Sequence, residues 1–203
     1  MAGGRKLEFN KIQALEAAMQ VFWKKGFLGA SLADLTQGMG INKPSMYATF
    51  GNKEALFVQA TEHYLDTYAK PTIENLHQPN MSLHERLKAY LMAVVNMQCG
   101  VGRKSNPKGC YISLCVAEAA GDSLPQDALD TISEAGGYVE IMLTEFFKTD
   151  EEAVRLRYDG DAHEKALFLV TLINGTAAMA RAGTTADALE SVIDRAIIAI
   201  TAN

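Results

Sequence analysis

Apolar residues recur along this chain at steps of three and four, and no run alternates apolar with polar as a half-buried strand would. Ile12, Leu15, Met19 and Phe22 stripe one side of a helix from about Glu8 to Lys25, which Gly26 stops. Ser31 opens a second, short helix, with Asp34 at the capping-box position three residues on. Gly38 and Gly40 end it about two turns later, and Gly40 suits a left-handed turn over Ile41. Pro44 falls in the first turn of a third helix, where its missing N–H loses nothing and its fixed φ helps. Helix, short helix, glycine turn, short helix is the outline of a helix-turn-helix. Its inner face is Leu32, Leu35, Met39, Ile41, Met46 and Phe50, which leaves Lys43, Pro44, Ser45, Tyr47 and Thr49 on the outer one.

The same periodicity continues to the end of the chain. A long helix runs from Asn52 to about Leu76 and bends or ends near Pro71; Ser82 with Glu85 is a second capping box. The stretch "VGRKSNPKG" is a loop by composition. Helices then follow over Cys110 to Ala120 and from Ser123–Pro125 to about Phe147, and "TDEEAVRLRYDGD" is polar connecting sequence with room for one further turn. The last pair covers about 164–182, with Ala166, Val170, Ile173, Ala177, Ala180 and Gly175 on a close-packing face, and 185–201, capped by Thr184 with Asp187 and striped by Leu189, Val192, Ile193, Ile197 and Ile200. The fold class is all-α, with about nine helices.

At 203 residues and 48% hydrophobic, the chain can bury a core of its own. No apolar stretch reaches the roughly 20 uncharged residues that cross a bilayer, and the basic start leads into an amphipathic pattern rather than a secretory signal, so a cytoplasmic protein is expected. The net charge of -5 divides unevenly: residues 1–55 carry +3 and the remainder -8. A basic head on an acidic body suits a chain that presents one end to phosphates. On that head the exposed start of the third helix fits a major groove about 12 Å wide, with Lys43 offered to guanine or phosphate. Tyr47 and Lys53 are placed to meet backbone phosphates.

Elsewhere the chemistry is thin. Four scattered histidines and no converging acid, base or nucleophile argue against an enzyme, and Cys99, Cys110 and Cys115 have neither disulfide nor metal-ligand spacing, so no cofactor or metal is expected. Tyr90, Tyr111, Phe146 and Phe168 could line an adaptable apolar cavity, although at helical spacing such residues equally form core. Cys110 follows "NPKG" at a helix start near Lys104 and Lys108, where dipole and cations favour a thiolate and hence a sensor thiol. A helical carrier of apolar molecules would account for the body and leave the basic head unexplained.

The span from about Leu7 to Phe57, with "AMQVFWKKGFLGASLADLTQGMGINKPSMYATFGNKEALF", resembles the N-terminal domain of TetR-family transcriptional regulators. The resemblance rests on a phenylalanine and a Gly-Phe pair ahead of the turn and an aromatic-rich stretch ending in "KEAL" after it, about a quarter of the chain. It implies a DNA-binding domain over residues 1–52 and a ligand-sensing and dimerisation domain over 53–203. It further implies that Lys43, Pro44 and Ser45 meet bases or adjacent backbone, while Ser31, Tyr47, Thr49 and Lys53 hold phosphates. Two departures stand out: Pro44 and Thr49 occupy positions where many members carry glycine and histidine. The resemblance also implies a homodimer through the last two helices, a near-palindromic double-stranded DNA operator, and a small-molecule inducer in the body that lifts repression. A Gly-Cys pair at the position of Cys110 occurs in a subgroup that includes electrophile-sensing repressors.

Overall fold

Helix α1 (Lys11–Gly29) begins where the Asn10 side chain accepts the backbone N–H groups of Ile12 and Gln13, at 3.0 and 3.2 Å. This is the computed structural model of the protein, and it describes residues 10–103, 107–121 and 123–201. The expected stop at Gly26 is a break rather than an end: Gly26 takes φ 72° and ψ 179°, and one more turn follows. Ala14, Ala18, Met19, Phe22 and Trp23 form the buried side, whereas Ile12, expected in that stripe, is 68% exposed. The inward line starts a turn later and runs through alanines, which amphipathic counting underweights.

Helix α2 (Leu32–Met39) carries the expected Ser31–Asp34 capping box, and Gly40 closes it in the left-handed region at φ 67°. Gly38 lies inside α2 rather than ending it: a β-carbon there would stand 2.7 Å from Val21 Cγ2, so its lack of side chain lets α2 lie close on α1. Helix α3 (Lys43–Phe50) starts on an Asn42 cap, whose Oδ1 accepts from Ser45 N at 2.9 Å.

From Lys53 the backbone stays helical to His77, but in four pieces: α4 (Lys53–Tyr64), a π-helical turn over Leu65–Ala69, α5 (Lys70–Ile73) and a 3₁₀ turn over Glu74–His77. The widened turn has a cause in Pro71. A proline ring clashes with the carbonyl four residues back in a regular helix, and the i→i−5 register, seen as Lys70 N–H donating to Leu65 O, opens room ahead of it. Helix α6 (Leu83–Cys99) has the second expected capping box, Ser82 with Glu85. Then come α7 (Tyr111–Ala119), α8 (Gln126–Thr149), the short α9 (Glu151–Arg155), α10 (Ala162–Arg181) and α11 (Ala186–Thr201). The cap of α11 is Thr185 and not Thr184: Thr185 Oγ1 accepts from Ala188 N at 3.3 Å, while Thr184 N–H is spent closing the preceding turn on Met179 O. The fold is all-α, with no strand among the described residues.

Two apolar cores organise these helices. The first gathers Phe22, Trp23, Phe27, Leu35, Met46, Phe50 and Phe57 of the first four helices, and continues into Tyr111 and Cys115 of α7 and Ala128 and Ile132 of α8. The second joins α6, α8, α10 and α11 around Leu87, Leu91, Phe147, Leu169, Ile193 and Ile197. A buried ion pair locks one end of the body. Arg86, 7% exposed, donates to both Asp150 oxygens (2.6 and 3.0 Å), to Glu152 (3.3 Å) and to Leu76 O (2.7 Å).

Candidate nucleic-acid interface and ligand cavity

Buried Met46 and Phe50 hold one side of α3 against the first core, and this fixes what the other side shows. Lys43, Pro44 and Tyr47 are exposed, Tyr47 at 47%, while Ser45 and Thr49 are half-buried. No carboxylate occurs between Asp34 and Glu54, so the whole turn and α3 present only cationic and neutral groups. Lys43 with Tyr47 and Ser45 with Thr49 form the two flanks of the side turned away from Met46 and Phe50.

Two of the expected phosphate contacts have local partners. The Ser31 hydroxyl donates to Asp34 Oδ2 at 2.7 Å, and Asp34 is also paired with Lys25. Hydrogen bonds from Lys25 and from Ser31 hold the Asp34 carboxyl well below the usual carboxylate range. Lys53, at the first turn of α4, sits with its ammonium 4.3 Å from the centre of the Phe27 ring, half-buried; burial draws its pKa down against the opposing pull of Glu54 and Glu118. Lys11, not singled out by the sequence, reaches over the Phe50 ring at 5.6 Å beside the end of α3. The Asn42 cap does have a sequence signal, an Asn ahead of a proline-led helix.

The body holds a cleft of about 920 Å³ between α7, α8 and the end of α10, lined by Ile112, Val116, Leu129, Ile132, Ala177 and Arg181 among others. A smaller interior chamber of about 70 Å³ lies behind it, walled by Tyr64, Tyr90, Val94, Gln98, Val139 and Ile173. Cys110, Ile112, Ser113, Gly136 and Asn174 border both spaces.

Of the four aromatics read as possible pocket lining, only Tyr90 faces this chamber. Tyr111 is wholly buried in the first core, its hydroxyl 2.9 Å from Thr61 Oγ1, and Phe146 is packed against His77 and Phe147. Phe168 points outward and is 42% exposed, because α10 is apolar on two sides and its inward side is taken by Ala162, Ala166 and Leu169. Cys110 stands at the N-cap of α7, half-buried, with its Sγ 3.4 Å from the Tyr64 hydroxyl. Lys104, invoked as its cationic neighbour, lies outside the described residues. Burial pushes the Cys115 thiol up, and Cys99 likewise. No helix among the described residues is long and apolar enough to cross a membrane.

Head and body are joined by polar contacts that the linear sequence does not signal. The Glu118 carboxylate on α7 accepts from the backbone N–H of Phe27 and Leu28, at 2.7 and 3.3 Å, just after the Gly26 break. Trp23 Nε1 donates to Gly109 O at 3.3 Å, and Arg181 of α10 reaches Trp23 O and Cys110 O at 3.5 and 3.4 Å.

A helix-turn-helix with a cationic, carboxylate-free reading edge, set on an all-α body with an interior cavity, defines a DNA-binding transcriptional regulator. Residues 14–60 match the family described as bacterial regulatory proteins, tetR family. The chain is 30% identical over 189 residues to the HTH-type transcriptional repressor ComR of Escherichia coli (strain K12), covering 93% of this chain and 88% of that one. It is 42% identical over 73 residues to the repressor BdcR of the same organism, 36% of this chain and 37% of that one. Among solved structures it is similar to a cysteine-substituted TetR-family regulator, CifR, complexed with a 26-base-pair operator: TM-score 0.85, 31% identity, covering 97% of this chain and 99% of that one. The chain belongs to the TetR family of transcriptional regulators.

Proposed function

We propose that this protein is a repressor that binds a near-palindromic operator as a homodimer and is released by a small molecule bound in its body. Residues 1–52 act as the reading head and residues 53–203 as the sensing and dimerising body. The observation that carries the reading is the edge of α3, where Lys43, Pro44 and Tyr47 stand exposed while Met46 and Phe50 anchor the opposite side. Lys43 with Pro44 and Ser45 is assigned to bases and adjacent backbone; Ser31, Tyr47, Thr49 and Lys53 to phosphates.

The dimer is assigned to α10 and α11, which leave Leu167, Phe168, Met179, Val192 and Ile198 exposed at 42–63%. Two-fold pairing there sets two α3 helices about 34 Å or somewhat more apart, one duplex turn. The test is selection of bound fragments from random DNA, followed by titration of the recovered sequence at increasing salt. Recovery of a two-fold symmetric site, with affinity falling steeply between roughly 50 and 200 mM salt, supports the reading. Recovery of no preferred sequence overturns it.

A second reading, in which the body responds through a thiol, is favoured by the place of Cys110 on the seam between cleft and chamber. Replacing Cys110 by serine and finding an unchanged release of operator by electrophiles disposes of it.

A further inference from the structure

Gln98 is completely buried on α6, and only half of its amide is satisfied. Its Nε2 donates to Ile173 O at 3.0 Å, while Oε1 has no hydrogen-bond partner among the described residues. An acceptor without a donor, deep in a protein, costs about 1–3 kcal/mol, and the residue that carries it lines the interior chamber.

The rest of the chamber indicates what would complete it. None of its lining side chains is charged, so an ionised ligand would be stripped of water with nothing to balance it. Apart from the Tyr111 backbone, which donates to it, the Tyr64 hydroxyl meets sulfur, Cys110 Sγ at 3.4 Å and Met97 Sδ at 3.7 Å, both weak acceptors for its own proton. An unfilled acceptor and an under-used donor among the residues of one chamber are complementary to a hydroxyl, which gives one hydrogen bond and takes another. The chamber is too small for more than a ligand's head. It adjoins the larger cleft through Cys110, Ile112, Ser113, Gly136 and Asn174, and that cleft is mostly apolar.

We infer that the chamber binds the hydroxyl-bearing end of a neutral, otherwise apolar ligand, with Gln98 Oε1 as acceptor and the tail lying in the cleft between α7, α8 and α10. This rests on the inducible-repressor reading and supplies the chemical class of the inducer. A site built to pair a hydroxyl rejects the analogue that lacks it, because the analogue leaves the buried acceptor unpaired.

The experiment uses the full chain and two probes of nearly equal shape, 4-ethylphenol and 4-ethyltoluene, in which a methyl group stands in for the hydroxyl, titrated calorimetrically with and without operator DNA. The phenol is expected to bind at least about tenfold more tightly than the hydrocarbon. In Gln98→Met that preference disappears while operator affinity without probe is unchanged. Equal affinities in the wild-type chain, or no saturable binding of either probe up to millimolar concentration, overturn the inference, and this comparison stands even if the variant fails to fold. If the phenol binds with the expected preference but leaves the operator complex intact, the chamber assignment holds and the inducer reading falls. If no operator is found at all, the repressor reading fails independently of the binding result.

Discussion

Glu118 Oε2 accepts the backbone N–H of Phe27 at 2.7 Å, ninety-one residues away along the chain, and thereby ties the body to the last turn of the head's first helix. The contact exists because Gly26 is glycine. Its φ of 72° with ψ 179° belongs to a region open essentially to glycine alone. A β-carbon there would also stand 2.2 Å from Glu118 Oε1. Gly26→Ala is expected to destabilise the protein by about 1–3 kcal/mol from backbone strain, with a further loss from expulsion of the carboxylate, read as a lower denaturant midpoint. Combining it with Glu118→Ala removes the steric part but not the strain, so the double variant should lose less than the two single losses together.

Lys43 and Tyr47 make separable predictions on the DNA side. Lys43→Ala should weaken operator binding and reduce the slope of log affinity against log salt by about one if the lysine meets a phosphate. If it reads guanine instead, the slope holds and discrimination at one base pair relaxes. Tyr47→Phe keeps the ring and removes the hydroxyl, and should cost about 1 kcal/mol of operator affinity without altering base preference.

The Arg86 lock predicts both stability and its pH dependence. Arg86→Met leaves Asp150 and Glu152 uncompensated and should lower unfolding free energy by about 3 kcal/mol or more. Burial alone would raise the Asp150 carboxyl, but hydrogen bonds from Arg86 and from the N–H groups of Ala153 and Glu152, with the guanidinium charge, hold it below its ordinary value. A depressed carboxyl contributes stability that is complete above its unfolded pKa, near 3.9, and vanishes as pH falls through the folded value. Asp150→Asn should therefore be less stable at pH 7 and lose less on acidification from pH 5 to 2, measured by denaturant titration at each pH.

The outward apolar residues of α10 and α11 predict the effect of charge on assembly. Sedimentation should show a dimer for the wild-type chain and monomers for Phe168→Glu, since a carboxylate at the centre of an apolar contact has no compensating partner. Operator affinity should then fall by about 100-fold or more as the paired heads become independent.

Much of the head was legible because its signals are local. Ser31 with Asp34 and Gly40, like Ser82 with Glu85 in the body, each act within a turn of themselves, so adjacent letters suffice to read them. The residues that join head to body were not legible: neither Glu118 nor Arg181 has any local pattern announcing a partner 91 or 158 residues distant. Phe168 was misplaced for a different reason. A helix apolar on two faces does not say which face meets its own chain, and α10 turns its alanines inward and its larger Leu167, Phe168 and Met179 outward. Gln98 carries no signal in the sequence, since a glutamine in an apolar stripe is an ordinary core exception, and only the fold leaves its oxygen unpaired in a residue that lines a hollow.

The helical run that starts at Lys53 and changes register at Leu65–Ala69 gives this molecule a mechanical ratio. Its near end abuts α3, and Tyr64 and Leu65, which line the hollow, lie eleven and twelve residues on, about 18 Å along the axis at 1.5 Å per residue. A tilt of about five degrees pivoting at the hollow would sweep the near end through about 1.5 Å, and two-fold pairing would double that change in the separation of the reading edges. The loosened turn ahead of Pro71 sits next to that pivot, so under the proposed release by a small molecule the soft point of the lever would coincide with its fulcrum.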